Sequence, residues 1–158
     1  MKATALLVQV VMAEEGLSLI PYKDSAGFMT IGYGHLLPMS GYVPEKIEAH
    51  EATSWLAGDI QEAEDAVNRQ VKVPLSQQQF DSLVSFTFNF GEDKLSNSGL
   101  LRELNAGHYG EVPKRLMLWS KIKQKDGSYK VSNGLLNRRK REVNIWERGD
   151  YSDPRAQL

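Results

Sequence analysis

The spacing of apolar residues changes twice along the chain, and this pattern most limits the fold it can adopt. At residues 3–13, apolar side chains recur every three or four positions, which is typical of a helix packed on a core. Residues 17–37 are instead rich in Tyr, Phe, Ile, Thr and Gly, and the turn sequence Asp24-Ser25-Ala26-Gly27 interrupts them. This segment predicts a small β-hairpin or three-stranded sheet. Helical spacing returns at residues 47–70, with an apolar stripe of Ala52, Trp55, Leu56, Ile60, Ala63 and Val67.

The rest of the chain is predicted to be mostly helical. Ser76 and Gln79 form a capping box that starts a helix ending at Gly91. Shorter helices are predicted near residues 98–107 and 111–119, followed by a hairpin turning at Asp126-Gly127. A last helix is predicted over about 134–148, with Leu135, Val143 and Trp146 facing inward. We therefore predict a single domain over residues 1–158 with an α+β fold that is mostly α. It would have a β-containing lobe at about 14–46, a connector helix at about 47–72, and a helical lobe of 73–158 plus the N-terminal helix 2–13, with a cleft between the lobes.

Composition excludes several classes of protein. The chain has 158 residues, of which 41% are apolar and 25% charged, as is usual for soluble globular proteins. It has no cysteine, which excludes disulfides, thiol catalysis and cysteine-bound zinc. No stretch reaches the roughly 18 apolar residues of a membrane-spanning helix. We interpret the apolar residues 3–13 as a core helix rather than a signal peptide, because one lysine precedes them and their spacing is helical.

Two carboxylates and a hydroxyl form a candidate catalytic set. Glu15 lies at the end of the first helix, Asp24 lies in the β-turn, and Thr30 lies on the returning strand. Hydrolysis of a glycosidic bond needs a protonated acid on the leaving oxygen and a second carboxylate that activates water or attacks. An acidic residue at a helix end and an Asp in a turn are also common structural features. By itself, this pattern leaves both interpretations open.

A longer pattern resembles the phage-type lysozymes, glycoside hydrolase family 24. The catalytic signature of that family is similar to a pattern in this chain. Eight residues separate Glu15 from Asp24, five separate Asp24 from Thr30, and residues 31–35 follow as Ile-Gly-Tyr-Gly-His. Residues 74–91 resemble the central helix of that family. The likeness continues in order along the chain through Ser98-Gly99-Leu100-Leu101, Leu104-Asn105, Trp119, Gly134-Leu135, Arg138-Arg139 and Glu142.

The resemblance implies a lysozyme-like fold and an endolysin that lyses the host cell. The expected reaction is hydrolysis of the β-1,4 bond between N-acetylmuramic acid and N-acetylglucosamine in peptidoglycan. Glu15 would be the general acid, Asp24 the second carboxylate, and Thr30 a group that places the attacking water. We expect inversion, because Thr30 makes best sense beside a bound water. The positions that match the saccharide cleft of the family are Leu36, Phe88 and Ser98.

Three further residues are predicted to support the site. Asp59 lies on the inward stripe of the connector helix, where an unpaired carboxylate would be costly, so we predict an ion pair with protonated His35. The family pattern implies that Arg138 holds Glu15, although a solvated basic face and a contact from Arg139 instead remain open. We predict no metal and no cofactor.

The charge distribution and the resemblance together suggest the partners. Residues 1–111 carry 7 Lys and Arg against 15 Asp and Glu, whereas residues 112–148 carry 11 against 3. We interpret the basic part, with Lys121, Lys123, Lys125, Lys130 and residues 138–141, as attracted to the anionic cell wall or simply solvated. No nucleic-acid module accompanies it. We expect a monomer without stable membrane association, which accumulates in the host bacterial cytoplasm and depends on a holin to reach the wall.

Two other functions are compatible with a lysozyme-like chain. A lytic transglycosylase cuts the same bond with one essential Glu and leaves an anhydro sugar, but Asp24 and Thr30 favour water as the nucleophile. A non-catalytic wall-binding protein would be expected to lack Glu15 or Asp24, and both are present. The sequence therefore favours the hydrolase.

Overall fold

The computed structural model describes residues 1–157 and contains seven α-helices and two small antiparallel sheets within that range. The first part of the chain forms α1 (Ala5–Glu15), β1 (Ser18–Lys23), β2 (Met29–Gly32), β3 (His35–Leu36) and α2 (Ala49–Gln70). The second part forms α3 (Gln77–Phe90), α4 (Glu92–Ser96), α5 (Gly99–Asn105), α6 (Glu111–Met117), β4 (Lys121–Lys123), β5 (Tyr129–Val131), α7 (Asn133–Arg148) and a short 3₁₀-helix (Pro154–Gln157). The predicted α+β, mostly α fold is confirmed.

The segment after α1 forms a three-stranded sheet in the order β1-β2-β3, one of the two predicted alternatives. In this sheet Tyr22 lies opposite Thr30, and Thr30 lies opposite Leu36. Ile31 is fully buried and packs with Ile47 and Ala52 in a small hydrophobic cluster. The sheet is therefore held to the rest of the protein from one side, by the start of α2.

Helix α2 takes part in two hydrophobic clusters. Its N-terminal turns contribute Ala52 to the small cluster under the sheet, and its later turns contribute Leu56, Ile60 and Val67 to a larger cluster built by the helices. The helix begins at Ala49, two residues later than expected, because Glu48 and Glu51 form a capping box there. The division of the chain into two lobes stays a prediction, which these two clusters support.

Helix α3 is the central helix of the larger cluster and packs against α1, α2, α4 and α7. Ser76 and Gln79 form the predicted capping box. Asp81 is fully buried on this helix and accepts hydrogen bonds from the Thr4 hydroxyl at 2.5 Å and from the Tyr151 hydroxyl at 2.6 Å. Burial, followed by the hydrogen bond between Tyr151 and Asp81, raises the pKa of the Tyr151 hydroxyl to about 12. Asp81 thereby ties both ends of the chain to the central helix.

Helix α7 differs from expectation in what it buries. We expected Leu135, Val143 and Trp146 to face inward, but the first two are only half-buried. The fully or almost fully buried residues of this helix are instead Arg139, Arg141, Glu142, Ile145 and Trp146. The spacing of apolar residues could not predict the buried charged residues of α7. Charged residues are rarely buried unless each has a partner of opposite charge, and that partner is known only from the structure.

Two other elements were not expected from the sequence. Gly91 ends α3, as predicted, but it also starts α4, because its φ of 90° turns the chain directly into another helix. The 3₁₀-helix Pro154–Gln157 forms after α7 and places Arg155 near α1. Both helices are short, so each contains too few residues to show a helical spacing of apolar side chains in the sequence.

The predicted contact between the sheet and the connector helix is present. Nδ1 of His35 on β3 lies 2.8 Å from Oδ2 of Asp59 on α2. The His35 ring also packs on Trp55, with 4.9 Å between the ring centroids. The pair therefore supplements the small hydrophobic cluster in holding the sheet to α2.

We expect Asp59→Asn to destabilise the protein by about 1 kcal/mol or about 2–4 °C in melting temperature, because the amide cannot form an ion pair with His35. Thermal melts test this, with Asp65→Asn, which changes an exposed residue of the same helix, as the control. An unchanged melting temperature between pH 5 and 7 would refute the role of the pair.

Candidate active site

Glu15 is the last residue of α1, and a residue from the last helix holds its carboxyl. The helix ends there because Gly16 has a φ of 68° and its amide donates to the carbonyl of Met12. Nη2 of Arg138 donates to Oε1 of Glu15 at 2.9 Å, and the Glu15 side chain is 18% exposed. The open choice between the two arginines is thus resolved, because Arg138 makes the contact.

The other carboxyl oxygen of Glu15 lies against the backbone of Gly34. A Cβ atom added to Gly34 would overlap Oε2 of Glu15 and would also crowd its carboxyl carbon. Gly34 has a φ of 71°, a conformation that side chains with a Cβ rarely adopt. The glycine between β2 and β3 therefore allows the sheet to approach the end of α1.

Asp24 is oriented by the turn that connects β1 and β2. Its Oδ1 accepts hydrogen bonds from the backbone amides of Ala26 and Phe28, both at 2.9 Å. This is an Asx-type turn, in which a short carboxylate replaces a backbone acceptor. The turn that the sequence predicted as a structural feature therefore also fixes the direction of the candidate catalytic carboxylate.

Tyr22 lies on β1, the strand that connects the end of α1 with the turn of Asp24, and it pairs with Thr30 across the sheet. The pKa of its hydroxyl is raised, first by burial and then by the negative charges of Glu15 and Asp24. Tyr22 is therefore a neighbour of the proposed catalytic set. Sequence analysis did not single out Tyr22. Its position two residues before Asp24, on the strand that leads into the turn, was the only available signal.

Thr30 lies next to this group but is almost fully buried. Its hydroxyl donates to the carbonyl of Phe28 at 3.0 Å, and its backbone pairs with Tyr22 and Leu36 across the sheet. Since the hydroxyl proton is used, any water that Thr30 places would donate to the hydroxyl oxygen. The proposed role of Thr30 stays a prediction.

The three residues matched to the saccharide cleft have different environments. Leu36 is 59% exposed and available for a ligand. Phe88 is half-buried against the large hydrophobic cluster. Ser98 is only 4% exposed, and its hydroxyl donates to the carbonyl of Leu95 and accepts from the amide of Leu101. The structure does not favour Ser98 as a saccharide ligand, because its hydroxyl caps α5.

Arg139, the neighbour of Arg138, is fully buried and pairs with Glu142. Its Nε lies 2.7 Å from Oε1 of Glu142, and its guanidinium lies 4.8 Å from the centre of the Phe90 ring. Burial raises the pKa of Glu142, whereas Arg139 and the hydroxyl of Ser85 favour its charged form. This pair belongs to the core, so it fixes α7 against α3 and does not touch the candidate site.

The basic part of the chain therefore has two different roles. Arg138, Arg139 and Arg141 are paired with carboxylates inside the protein, which corrects the interpretation of this run as a solvated or wall-binding face. The hairpin of β4 and β5 is different, because every residue of both strands is exposed. Its lysines Lys121, Lys123 and Lys130 remain candidates for attraction to an anionic wall.

Within residues 1–157, the structure contains neither a group of side chains that could bind a metal ion nor a helix that could span a membrane. No three His, Asp or Glu side chains of this range are grouped so that they could hold a metal ion. None of the helices in the same range is long and apolar enough to cross a membrane.

We expect Gly34→Ala to lower activity at least about tenfold, because the added methyl group displaces the Glu15 carboxyl, and positioning errors of this size are costly. The positive φ also predicts a stability loss of about 1–2 kcal/mol. Gly107→Ala is the matched control, since Gly107 has a φ of 87° and open space around its Cβ position. Both variants should lose similar stability, and only Gly34→Ala should lose activity. Equal activities of the two variants would contradict this account of the site.

Comparison with known proteins gives the same family over most of the chain. Residues 12–142 match the family model described as phage lysozyme. The chain is 37% identical over 133 residues to an endolysin of Acyrthosiphon pisum secondary endosymbiont phage 1, covering 84% of this chain and 89% of that protein. It is 38% identical over 132 residues to an endolysin of Salmonella phage P22, covering 82% and 86%. A relative named SAR-endolysin, from Escherichia phage Mu, is 33% identical over 132 residues, covering 84% and 73%.

Solved structures agree with the sequence relatives. An endolysin from Escherichia coli O157:H7 phage FAHEc1 superposes with a TM-score of 0.86 at 36% identity, covering 96% of this chain and 97% of that one. The muramidase domain of SpmX from Asticaccaulis excentricus superposes with a TM-score of 0.82 at 32% identity, covering 92% and 97%. The match to the family covers more than half of the chain, and it includes Glu15, Asp24 and Arg138. The chain belongs to the phage lysozyme family.

Proposed function

We propose that this chain hydrolyses the β-1,4 bond between N-acetylmuramic acid and N-acetylglucosamine, with Glu15 as general acid and Asp24 as the second carboxylate. Its family makes it a lysozyme-type hydrolase, an endolysin that lyses peptidoglycan. The observation that carries the proposal is the close approach of the Glu15 carboxyl to Gly34, which places it beside the same small sheet whose β1–β2 turn holds Asp24. Glycosidic hydrolysis requires two carboxyl groups that flank one bond.

The two carboxyls are held in different ways, which suits different roles. Glu15 comes from a helix end and is held by Arg138 and by the close approach of Gly34. Asp24 comes from a turn and is oriented by two backbone amides. In the proposed reaction, Glu15 gives its proton to the leaving glycosidic oxygen, and Asp24 assists the water that attacks the sugar carbon. The bond to the leaving oxygen breaks as the bond to water forms.

We propose that the reaction inverts the configuration at the sugar carbon, with Thr30 helping to place the water. Inverting enzymes separate their two carboxyls by about 6.5–9.5 Å, whereas retaining enzymes hold them about 5–5.5 Å apart. The Thr30 hydroxyl donates its proton to the carbonyl of Phe28, and its oxygen can still accept a hydrogen bond from a water.

We also propose how the protein reaches its substrate. It would act as a monomer, without nucleic acid and without stable membrane association. It would accumulate in the host cytoplasm and reach the wall after a holin permeabilises the membrane. These proposals rest on the family resemblance.

The test is lysis of outer-membrane-permeabilised Gram-negative cells by the native protein and by Glu15→Gln, with analysis of the products. Glu15→Gln keeps the size of the side chain and removes the proton donor, so we expect activity to fall about 10²–10⁴-fold. New reducing ends at muramic acid identify the hydrolase. Anhydro ends would identify a transglycosylase instead. Equal clearing by both proteins would reject Glu15 as the acid, and no clearing by folded native protein would favour a wall-binding role.

Arg138→Ala tests how Glu15 is positioned. Removing the guanidinium releases the Glu15 carboxyl, so we expect activity to fall about 10–100-fold. The stability loss should be smaller, about 0.5–1 kcal/mol, because the pair is partly exposed. Rates on purified cell-wall sacculi and urea denaturation measure the two effects, with Arg69→Ala, which removes the exposed pair with Glu92, as the control. Parallel loss of activity and stability would show that Arg138 is only structural.

A further inference from the structure

Glu14, the residue before the proposed acid, is the centre of an ion-pair cluster. Its Oε1 accepts a hydrogen bond from Nη1 of Arg141 at 3.1 Å, and its Oε2 lies 3.6 Å from Nε of Arg138. The same Oε2 lies 4.0 Å from Nη2 of Arg155 in the 3₁₀-helix. The Glu14 side chain is only 12% exposed, so these charges are partly shielded from water. Glu14 thus links α1 to both α7 and the C-terminal segment.

Arg138 is shared between two neighbouring carboxylates. Its Nη2 binds Glu15 while its Nε faces Glu14, and the Arg138 side chain is 17% exposed. The guanidinium is planar and its nitrogens have a fixed geometry, so the direction in which Arg138 holds Glu15 depends on how its other nitrogens are held. A change at Glu14 would therefore be transmitted to Glu15 through Arg138.

We propose that Glu14 is a positioning residue: it holds the guanidinium of Arg138 in place, so that Arg138 orients the carboxyl of Glu15. This inference rests on the proposed role of Glu15 as general acid. The carboxylate of Glu14 faces Nε of the same guanidinium whose Nη2 binds Glu15. Because Glu14 and Glu15 are adjacent in α1, both carboxylates that hold Arg138 belong to one helix end.

Glu14 itself is anchored independently of Arg138. Nε of Arg141 donates to the carbonyl of Tyr151 at 3.0 Å, and Nη2 of Arg155 lies 2.9 Å from Oδ2 of Asp153. Both arginines are therefore fixed by other groups before they reach Glu14. The carboxylate of Glu14 can then restrain Arg138 instead of following it.

The other carboxylates near Arg138 and Glu15 are engaged elsewhere. The charge of Glu142 on α7 interacts with that of Arg138, but Glu142 is paired with Arg139 in the core. Asp24 is held by the amides of its own turn and belongs to the proposed catalytic pair. Among the carboxylates described here, Glu14 is the one that contacts Arg138 without a proposed chemical role.

The test is the activity of Glu14→Gln, measured as kcat and KM on purified sacculi. Glutamine keeps the shape of the side chain and removes the charge, so Arg138 loses the ion pair that restrains it. We expect kcat to fall about 3–10-fold with KM unchanged. Glu14→Asp, which keeps the charge, should restore most of kcat.

Arg155→Gln is the matched control, because it removes one ion pair of Glu14 without touching Arg138. It should leave kcat near the wild-type value, and its stability loss should be smaller than that of Glu14→Gln, because Arg155 is half-exposed and its contact with Glu14 is the longest of the three. A wild-type kcat in Glu14→Gln would overturn the inference, even if the melting temperature falls. Glu15→Gln separates this inference from the proposed function. If Glu15→Gln is inactive while Glu14→Gln keeps the wild-type kcat, only this inference fails. If Glu15→Gln is active, the proposed function fails as well.

Discussion

The buried pair of Arg139 and Glu142 sets the rotation of the last helix, and the candidate site depends on that rotation. Arg139 is fully buried, with Nη2 bound to Asn89 and the guanidinium packed on Phe90. Residues three positions apart share a helix face, so Glu142 meets Arg139 on the core side. Adjacent residues differ by about 100° around a helix, so Arg138 points elsewhere, toward α1. Leaving either buried charge unpaired would be costly, and α7 is therefore fixed in this orientation.

On the opposite side of the site, a turn and a glycine supply the geometry. Asp24 is oriented by backbone amides of its own turn, and Gly34 lets the sheet approach the carboxyl of Glu15. The sheet is attached to α2 through the small hydrophobic cluster and through the contact of His35 with Asp59. Glu15 thus lies between a rigid helical part that provides Arg138 and a small sheet that provides the second carboxylate.

Much of the fold was predictable, because spacing and capping are local signals. The stripe of α2, the capping box of α3 and the turn at Asp24 were all visible in the sequence. The contact of His35 with Asp59 was also predictable, since a carboxylate on an inward stripe needs a partner. The inward charges of α7 and the helix α4 were missed. A charged residue signals a surface position in sequence, and only the partner that it meets in space reverses that meaning.

The sequence by itself determined the order of the helices and strands, the family, and the identity of the candidate acid and second carboxylate. These features follow from short-range patterns and from a motif within about twenty residues. Only the tertiary structure decided that Arg138 contacts Glu15, that Tyr22 is a neighbour of the proposed catalytic set, and that Glu14 shares Arg138 with its neighbour. These contacts join residues more than a hundred positions apart, or strands with helices. Their existence depends on how the elements pack, which no local pattern records.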